Sequence, residues 1–423
     1  MALRAKFYSA LLLLLVVASF FHMQAIVIGV SIIIIAMPLE RHVSALRLIR
    51  LFAILIIPIV LGMFAGFSNN NYLILKDIYY FMLPVLFILT GILLACHLKI
   101  DEFLKVLVYA GLLTSLLVTG ISVYYIGFGS LTDPYSAHYA IGIVGTPGPP
   151  LAFAILLLTK KFNIKLFSRF YFSLFLAVNA FGIYMCASRT YLIITLCFVI
   201  LLVADKLKRQ WVLPASFILV VLLSFVPLDI FRPTASSTSF IDKLLGSFNE
   251  LSVGDYSTEE DINTKYRGYE SFMALNQYMQ GDTKDWVFGG LGKLVDLKTF
   301  LRLGEDTDYE FIPVLHNGWL YLLIKTGMLG IVAYAFVFIR LTVVNWRKYA
   351  TTNGRPVIKL FAALSVGCII SLFLTNYIVT AFFNVEMSVL MVTLGFSYLN
   401  FNHLLFLSEQ REAAGQPLNQ FAY

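Results

Sequence analysis

The sequence predicts an all-α, polytopic transmembrane helical bundle of about twelve spans with one large helical extracytoplasmic loop. Three observations lead there. The 423 residues are 59% hydrophobic and 13% charged, with a mean hydropathy of +0.83. A soluble core cannot hide that much apolar surface, but a bilayer can. Charges vanish for long stretches and return in clusters, the rhythm of spans and loops. The net charge of +7 also divides unevenly: Asp229 to Ile312 holds 15 acids and 8 bases, net −7, which leaves net +14 elsewhere. Such a division calls for a topological explanation and argues against nucleic acid as a partner.

A helix needs roughly 20 apolar residues to cross the hydrocarbon core. The runs that approach this are Phe7–His22, Gln24–Leu39, Leu51–Phe67, Ile78–His97, Val106–Phe128 and Ile141–Thr159, then Phe170–Ala187, Tyr191–Ala204, Trp211–Leu228, Val314–Phe338, Val357–Ile378 and Phe382–Leu405. One alternate set of short loops carries the basic residues, among them Arg41, Lys99, Lys160, Lys161, Lys208 and Arg347; the other holds little beyond Lys76 and Arg189. The positive-inside rule then places both termini in the cytoplasm and the acidic segment outside. The expected layout is residues 1–228 for spans one to nine, 229–313 for the extracytoplasmic loop, 314–408 for spans ten to twelve and 409–423 for a cytoplasmic tail. Arg4 and Lys6 before Phe7 could open a signal peptide, but a second apolar run follows almost at once and favours a retained span. Cys96, Cys186, Cys197 and Cys368 fall in or beside apolar runs without a CxxC pair, and read as small core residues rather than a disulfide framework.

The outer segment is too long for an idle connection. It predicts one short helix near Ser239–Leu251. A second starts after the capping candidates Asn263 or Thr264, passes through Tyr266, Arg267 and Tyr278, and stops at Gly281. A glycine-rich turn, Trp286-Val-Phe-Gly-Gly-Leu-Gly292, follows. The chain has no evident internal repeat, so the symmetric halves of many transporters are not visible.

Several residues could carry chemistry. Arg189 lies in Ala187-Ser-Arg-Thr190 between two apolar runs, where a cation near lipid needs a partner. It reads either as an interfacial arginine meeting headgroups or as an anion-gripping guanidinium, whose planar fork suits phosphate oxygens. Arg267, in the first turn or so of the second outer helix, reads either as half of a surface salt bridge with Glu270 or Glu260 or as an anion ligand at a helix N-terminus. His316, in Leu315-His-Asn-Gly-Trp-Leu320, is either an interfacial side chain or a general base, and His138 is its rival in the outer loops. Lys76 and Asp77, followed by Tyr79 and Tyr80, form either an aromatic belt with a flanking charge or part of a site. Lys325 and Glu386 fall within spans, where they would pair with each other or else mark a site. Asp306-Thr-Asp308 is formally a DxD, which in an acidic loop arises readily by chance. With no zinc-spaced His/Cys cluster, P-loop or G-x-S-x-G elbow in the sequence, neither metal nor cofactor is expected.

The order of these features resembles the bacterial O-antigen polymerase and O-antigen ligase superfamily, multispanning glycosyltransferases of the C-type fold. The features are Ser-Arg-Thr190 at a hairpin, an arginine in an outer helix, Phe-Gly-Gly-Leu-Gly292, and Leu315-His-Asn-Gly-Trp-Leu320 leading to Lys325-Thr-Gly-Met-Leu-Gly330. The resemblance is clearest from Phe170 to Leu341; the first 170 residues agree in span count and in the basic residue opening the fourth span. It implies a bacterial inner-membrane enzyme facing the periplasm, with a glycan on undecaprenyl pyrophosphate as substrate and membrane lipid as surroundings. It also admits a chain-length regulator as a partner. Arg189 and Arg267 match the pyrophosphate-binding arginines and His316 the acceptor-activating histidine; Lys76, Tyr79, Tyr80, Asn317, His138 and Tyr266 are candidates for substrate contact. Leu75-Lys-Asp-Ile-Tyr-Tyr80 looks more like the polymerases than the ligases. The rivals are a ligase transferring the glycan to lipid A–core and, in another class, a flippase or other transporter of lipid-linked oligosaccharide. A transporter would spread charges through the middles of its spans, whereas here most lie at the ends.

Overall fold

A computed structural model describes residues 2–38, 45–134, 145–204, 266–302, 308–351 and 355–413. Among these residues the chain is helical apart from one two-stranded hairpin. The helices are α1 (Ala2–Phe20), α2 (Gln24–Ala36), α3 (Ala45–Ala65), α4 (Asn71–His97), α5 (Ile100–Ile126), α6 (Gly148–Lys161), α7 (Arg169–Met185) and α8 (Arg189–Ala204). After them come α9 (Tyr266–Met279), α10 (Thr283–Phe288), the strands β1 (Val295–Arg302) and β2 (Asp308–Ile312), and finally α11 (Gly318–Thr351), α12 (Pro356–Val379) and α13 (Ser388–Ala413). Each of the predicted apolar runs coincides with a helix except Trp211–Leu228, which lies outside the described residues, as does the helix predicted near Ser239–Leu251.

The protein is a multi-pass membrane protein. Five helices among the described residues are long and apolar enough to cross a bilayer: α4, α5, α12 and the segments Gly318–Arg347 and Val385–Leu407. This is fewer than the twelve spans expected. Part of the difference lies in the run Trp211–Leu228, which lies outside the described residues, and part in helix bounds, since α2 has only 13 residues. At 1.5 Å per residue that is about 20 Å, short of a hydrocarbon core of about 30 Å. Similarly, α6 begins at Gly148, with Pro149 and Pro150 in its first turn, where a missing N–H costs nothing.

The outer segment is not wholly helical, which corrects the expectation for the loop. β1 pairs antiparallel with β2, Val295 opposite Ile312. The alternation Val295-Asp-Leu-Lys298 has the period of two that a half-buried strand needs: Val295 and Leu297 are buried while Lys298 is exposed. α9 lies on the covered face through Tyr269, Met273 and Ala274. Two ties fix it there. The Tyr269 hydroxyl donates to the Leu297 carbonyl. Gln277 donates to the Leu294 carbonyl (2.8 Å) and accepts from the Asp296 N–H (3.1 Å).

The hairpin unit is anchored in the bundle by the glycine-rich turn. α11 is interrupted at Gly327, whose φ of 64° suits glycine, and Gly289 opposite it has φ 65°. A Cβ on Gly327 would collide with the Val287 carbonyl. The turn donates Gly290 N–H to the Lys325 carbonyl (3.0 Å) and Leu291 N–H to the Gly62 carbonyl of α3 (2.9 Å). Asn69 Nδ2 donates back to the Leu291 carbonyl (2.7 Å). Gly292 N–H donates to Asp77 Oδ2 at 2.6 Å.

Asp77 also receives the Tyr321 hydroxyl on Oδ1 (2.6 Å), and Lys325 Nζ stands 2.7 Å from its Oδ2. Lys325 Nζ donates in addition to the Lys293 carbonyl at 2.6 Å. The side chains of Lys325 and Asp77 are 2% and 1% exposed. The expected Lys325–Glu386 pair does not form. Glu386 instead meets His22, 3.2 Å from its Nδ1. The reason is a break before α13: Thr380 takes φ 50°, and the 3-10 turns Ala381–Phe383 and Val385–Met387 intervene before the helix begins at Ser388. Glu386 is thereby held in the corner between α12 and α13, beside the turn that follows α1.

Breaking a buried ion pair from one side leaves an uncompensated charge and costs roughly 3–5 kcal/mol. Asp77→Ala should therefore destabilise the protein by about that amount, and more than Lys325→Met, which leaves Asp77 its Tyr321 and Gly292 donors. Thermal unfolding in detergent ranks the two; equal or negligible effects would contradict the role of the carboxylate.

Candidate functional site

The ends of several helices meet where the hairpin unit joins the bundle. α7 ends at Met185, the chain reverses through Ala187 (φ 43°), and α8 starts at Arg189. Two apolar segments with only Cys-Ala-Ser between them force this reversal and leave the guanidinium at a helix N-terminus, where backbone N–H groups and the dipole favour an anion. Arg267 comes from the first described turn of α9. Arg189 and Arg267 line one cavity of about 260 Å³, together with Ser188, Thr190, Tyr191 and Glu386.

His316 follows the hairpin and precedes α11. Its ring is held by Glu270, with Nδ1 2.8 Å from Oε2, and its backbone N–H donates to Oε1 of the same carboxylate. Glu270 is three residues beyond Arg267, so both share one side of α9. The Glu270 side chain is 1% exposed, whereas that of His316 is 44% exposed. Tyr266 presents its ring edge-on to the imidazole, with centroids 5.5 Å apart. Burial, and then the neighbouring Glu270 carboxylate, push the Tyr266 hydroxyl well above its ordinary pKa, so it stays protonated. Tyr266, Arg267 and the Glu270-held His316 thus gather about the start of α9; Arg189 shares its cavity with Arg267, and His316 and Tyr266 do not line that cavity.

A second cavity of about 240 Å³ shares Glu386 with the first and is lined also by His22, Gln24, Tyr80 and Val314. Burial lowers the pKa of His22 below its ordinary value. Tyr80 meets Tyr321 edge-on at 6.5 Å, and the Tyr79 hydroxyl donates to Gln24 Oε1 at 3.3 Å.

The other candidates are placed differently. Lys76 is half-buried on α4 and lines neither cavity; its neighbour Asp77 carries the anchoring contacts. Asn317 Oδ1 accepts from the N–H groups of Trp319 (3.0 Å) and Leu320 (3.3 Å), so its carbonyl caps α11. His138 and Asp306 lie outside the described residues, and Asp308 opens β2. Sequence reasoning treated Glu270 only as a surface partner for Arg267, but it is a buried acid that orients His316. The available signal was its spacing of three from Arg267 on one helix.

The chain matches no protein-family model, and no curated protein sequence matches it. What the site can do follows from its geometry. Two guanidiniums in one cavity can grip several oxygens of one polyanion. A histidine whose Nδ1 is held by a carboxylate has its Nε2 as the basic nitrogen, which defines a general base. Glu386 lies on the wall of the same cavity as the two arginines.

Inorganic pyrophosphate should bind the purified protein, as measured by calorimetry in detergent. A hydrogen bond to a charged group contributes about 1.5–3 kcal/mol, so Arg189→Ala or Arg267→Ala should each weaken binding roughly tenfold or more. Unchanged affinity in both variants would dissociate the arginines from anion binding.

Proposed function

We propose that this protein is a membrane glycosyltransferase of the polysaccharide polymerase type. It transfers a glycan from undecaprenyl pyrophosphate to a lipid-linked repeat unit at the outer face of a bacterial inner membrane. The observation that carries this reading is that Arg189 and Arg267, far apart in the chain, line one cavity, while Glu270, three residues beyond Arg267 on α9, holds His316.

In the proposed reaction the acceptor hydroxyl attacks the anomeric carbon of the donor glycan. His316 Nε2 takes the hydroxyl proton as the new glycosidic bond forms. The bond from the anomeric carbon to the pyrophosphate oxygen breaks, and its electron pair leaves with undecaprenyl pyrophosphate. Arg189 and Arg267 stabilise the charge that develops there, the role of preorganised cations in a site shielded from water. Attack from the face opposite the leaving group inverts the configuration. The activated lipid supplies the driving force, so no nucleotide or other cofactor takes part.

On this reading the hairpin end of the bundle faces the periplasm and both termini face the cytoplasm. The basic character of the opposite end supports that orientation. There Lys161 of α6 donates to the Leu202 carbonyl (2.8 Å) and the Tyr349 hydroxyl (3.2 Å), among Lys160, Arg340 and Lys359. With the five long helices, the shorter helices α1, α2, α3, α6, α7 and α8 and the run Trp211–Leu228 outside the described residues make the proposed twelve spans, the short ones accommodated by local thinning of the bilayer.

Arg189→Ala, Arg267→Ala and His316→Ala should each abolish polymer in the native host, read as the ladder of surface polysaccharide on a gel, while the protein still inserts. Arg267→Lys should also be poor, since a point charge does not replace a planar fork. Glu270→Gln should lower turnover at least tenfold by releasing the imidazole. Normal ladders from the first three variants would overturn the assignment. Loss of all capped core with retention of long lipid-linked polymer would indicate a ligase instead.

A further inference from the structure

A third cavity, about 570 Å³, lies on another flank of the hairpin unit, between the C-terminal half of α9, the hairpin and the corner joining α3 to α4. Its lining is dominated by carboxamides: Asn69 and Asn70 from the corner, and Asn276, Gln277 and Gln280 from α9. Two of them hold the fold. Gln277 is engaged at both ends by the backbone near β1, and the Asn69 amide donates to the Leu291 carbonyl. Among the described residues the others are little used: Asn70 Oδ1 accepts from the Tyr72 N–H (2.9 Å), and Gln280 Nε2 donates to Asn276 Oδ1 at 3.2 Å on an exposed surface.

Both signs of charge are also present in the lining: Lys293 is paired with Asp285, and Asp296, whose Oδ1 accepts the Lys298 N–H at 2.8 Å, stands beside the exposed Lys298. Phe311 of β2 stands at the edge with 47% of its surface exposed. A carboxamide offers both donors and an acceptor, and so matches a hydroxyl, which is also both. Such pairing satisfies a neutral polyol without desolvating an ion, and an exposed ring gives an apolar sugar face something to lie on.

We infer that this amide-lined cavity is a glycan-binding subsite that holds uncharged sugar units of the chain being extended. The identity of the sugar as substrate rests on the transferase reading, but the recognition chemistry does not. α9 connects the two regions. Arg267 lies near one end and Asn276 nine residues on, roughly 14 Å at 1.5 Å per residue. The charged cavity takes the diphosphate, and the amide cavity takes glycan some way along from it.

The test uses the full chain in detergent and a soluble oligosaccharide of two repeat units, released from the host's surface polysaccharide by mild acid and therefore free of pyrophosphate. Saturation-transfer NMR should show contact to sugar C–H protons. Affinity should fall at least fivefold in Asn276→Ala/Gln280→Ala and in Phe311→Ala, and should persist in Arg189→Ala. Substitutions at this exposed surface should leave the unfolding temperature near that of the unaltered protein. In the native host the same cavity variants should shift the polysaccharide ladder to shorter chains. No binding by the unaltered protein, or equal binding by the cavity variants, overturns the inference. If those variants bind normally while Arg189→Ala, Arg267→Ala and His316→Ala are inactive, the subsite falls alone. If those three polymerise normally and binding still needs the amides, the transferase reading falls and the glycan site stands.

Discussion

The architecture depends on one buried carboxylate. Asp77 sits within the bundle and is met by a hydroxyl and an ammonium from α11 and by an N–H from the glycine-rich turn. An ionised carboxylate without partners in such surroundings would be very unfavourable, so α11 and the turn, which satisfy it, are held against α4 in one arrangement. The elements of the hairpin unit take their positions from this point. The turn fixes the start of β1, β1 carries α9, and α9 places Arg267 and Glu270. The break at Gly327 belongs to the same device, since only a helix opened there admits the turn's backbone beside Lys325.

How much of this was legible in the sequence depends on the range of the interaction. Apolar runs report local free energy of transfer, so the helices were readable, and Arg189 stood out because a cation between two such runs violates that pattern. Helix ends were less readable. The 3-10 turns before Ser388 and the left-handed Thr380 depend on packing at the corner, and nothing in Phe382-Phe-Asn-Val-Glu-Met387 announces them. The partner of Lys325 was not readable at all, because Asp77 is remote in sequence and Glu386 is as plausible by composition. The strand β1 was masked by the charged residues interleaved with Val295 and Leu297, which look like loop until α9 is known to cover one face. The number of membrane spans was less readable, because an apolar run does not fix where its helix begins and ends: the run Ile78–His97 became the longer α4, whereas Gln24–Leu39 became the 13-residue α2.

The candidate site is assembled almost entirely from element ends: the start of α8, the first described turn of α9, the residue before the cap of α11 and the corner before α13. Helix ends carry backbone groups that the helix itself cannot satisfy, and at a bilayer surface they are where polar chemistry can be placed without crossing lipid. Strain collects there too. Ala187 and Thr380 both adopt positive φ next to the cavities, a conformation costly for residues with a Cβ and maintained only where surrounding contacts over-determine it. Glu386, 3.2 Å from His22, faces both cavities and so joins their walls at this corner.

The arginine-lined cavity suits a substrate whose charge must be held through the reaction, and a polyprenyl diphosphate product gripped there by two guanidiniums must still leave after each transfer. On the proposed reading, retention of the growing chain then falls to uncharged contacts elsewhere, where affinity is not tied to the leaving group. An amide-lined surface farther along α9 meets that requirement: it binds a repeating neutral polymer unit by unit, so the chain can slip by one repeat after each transfer without dissociating. Separating anion recognition from sugar recognition along one helix lets the diphosphate be exchanged at every cycle while the polymer stays engaged.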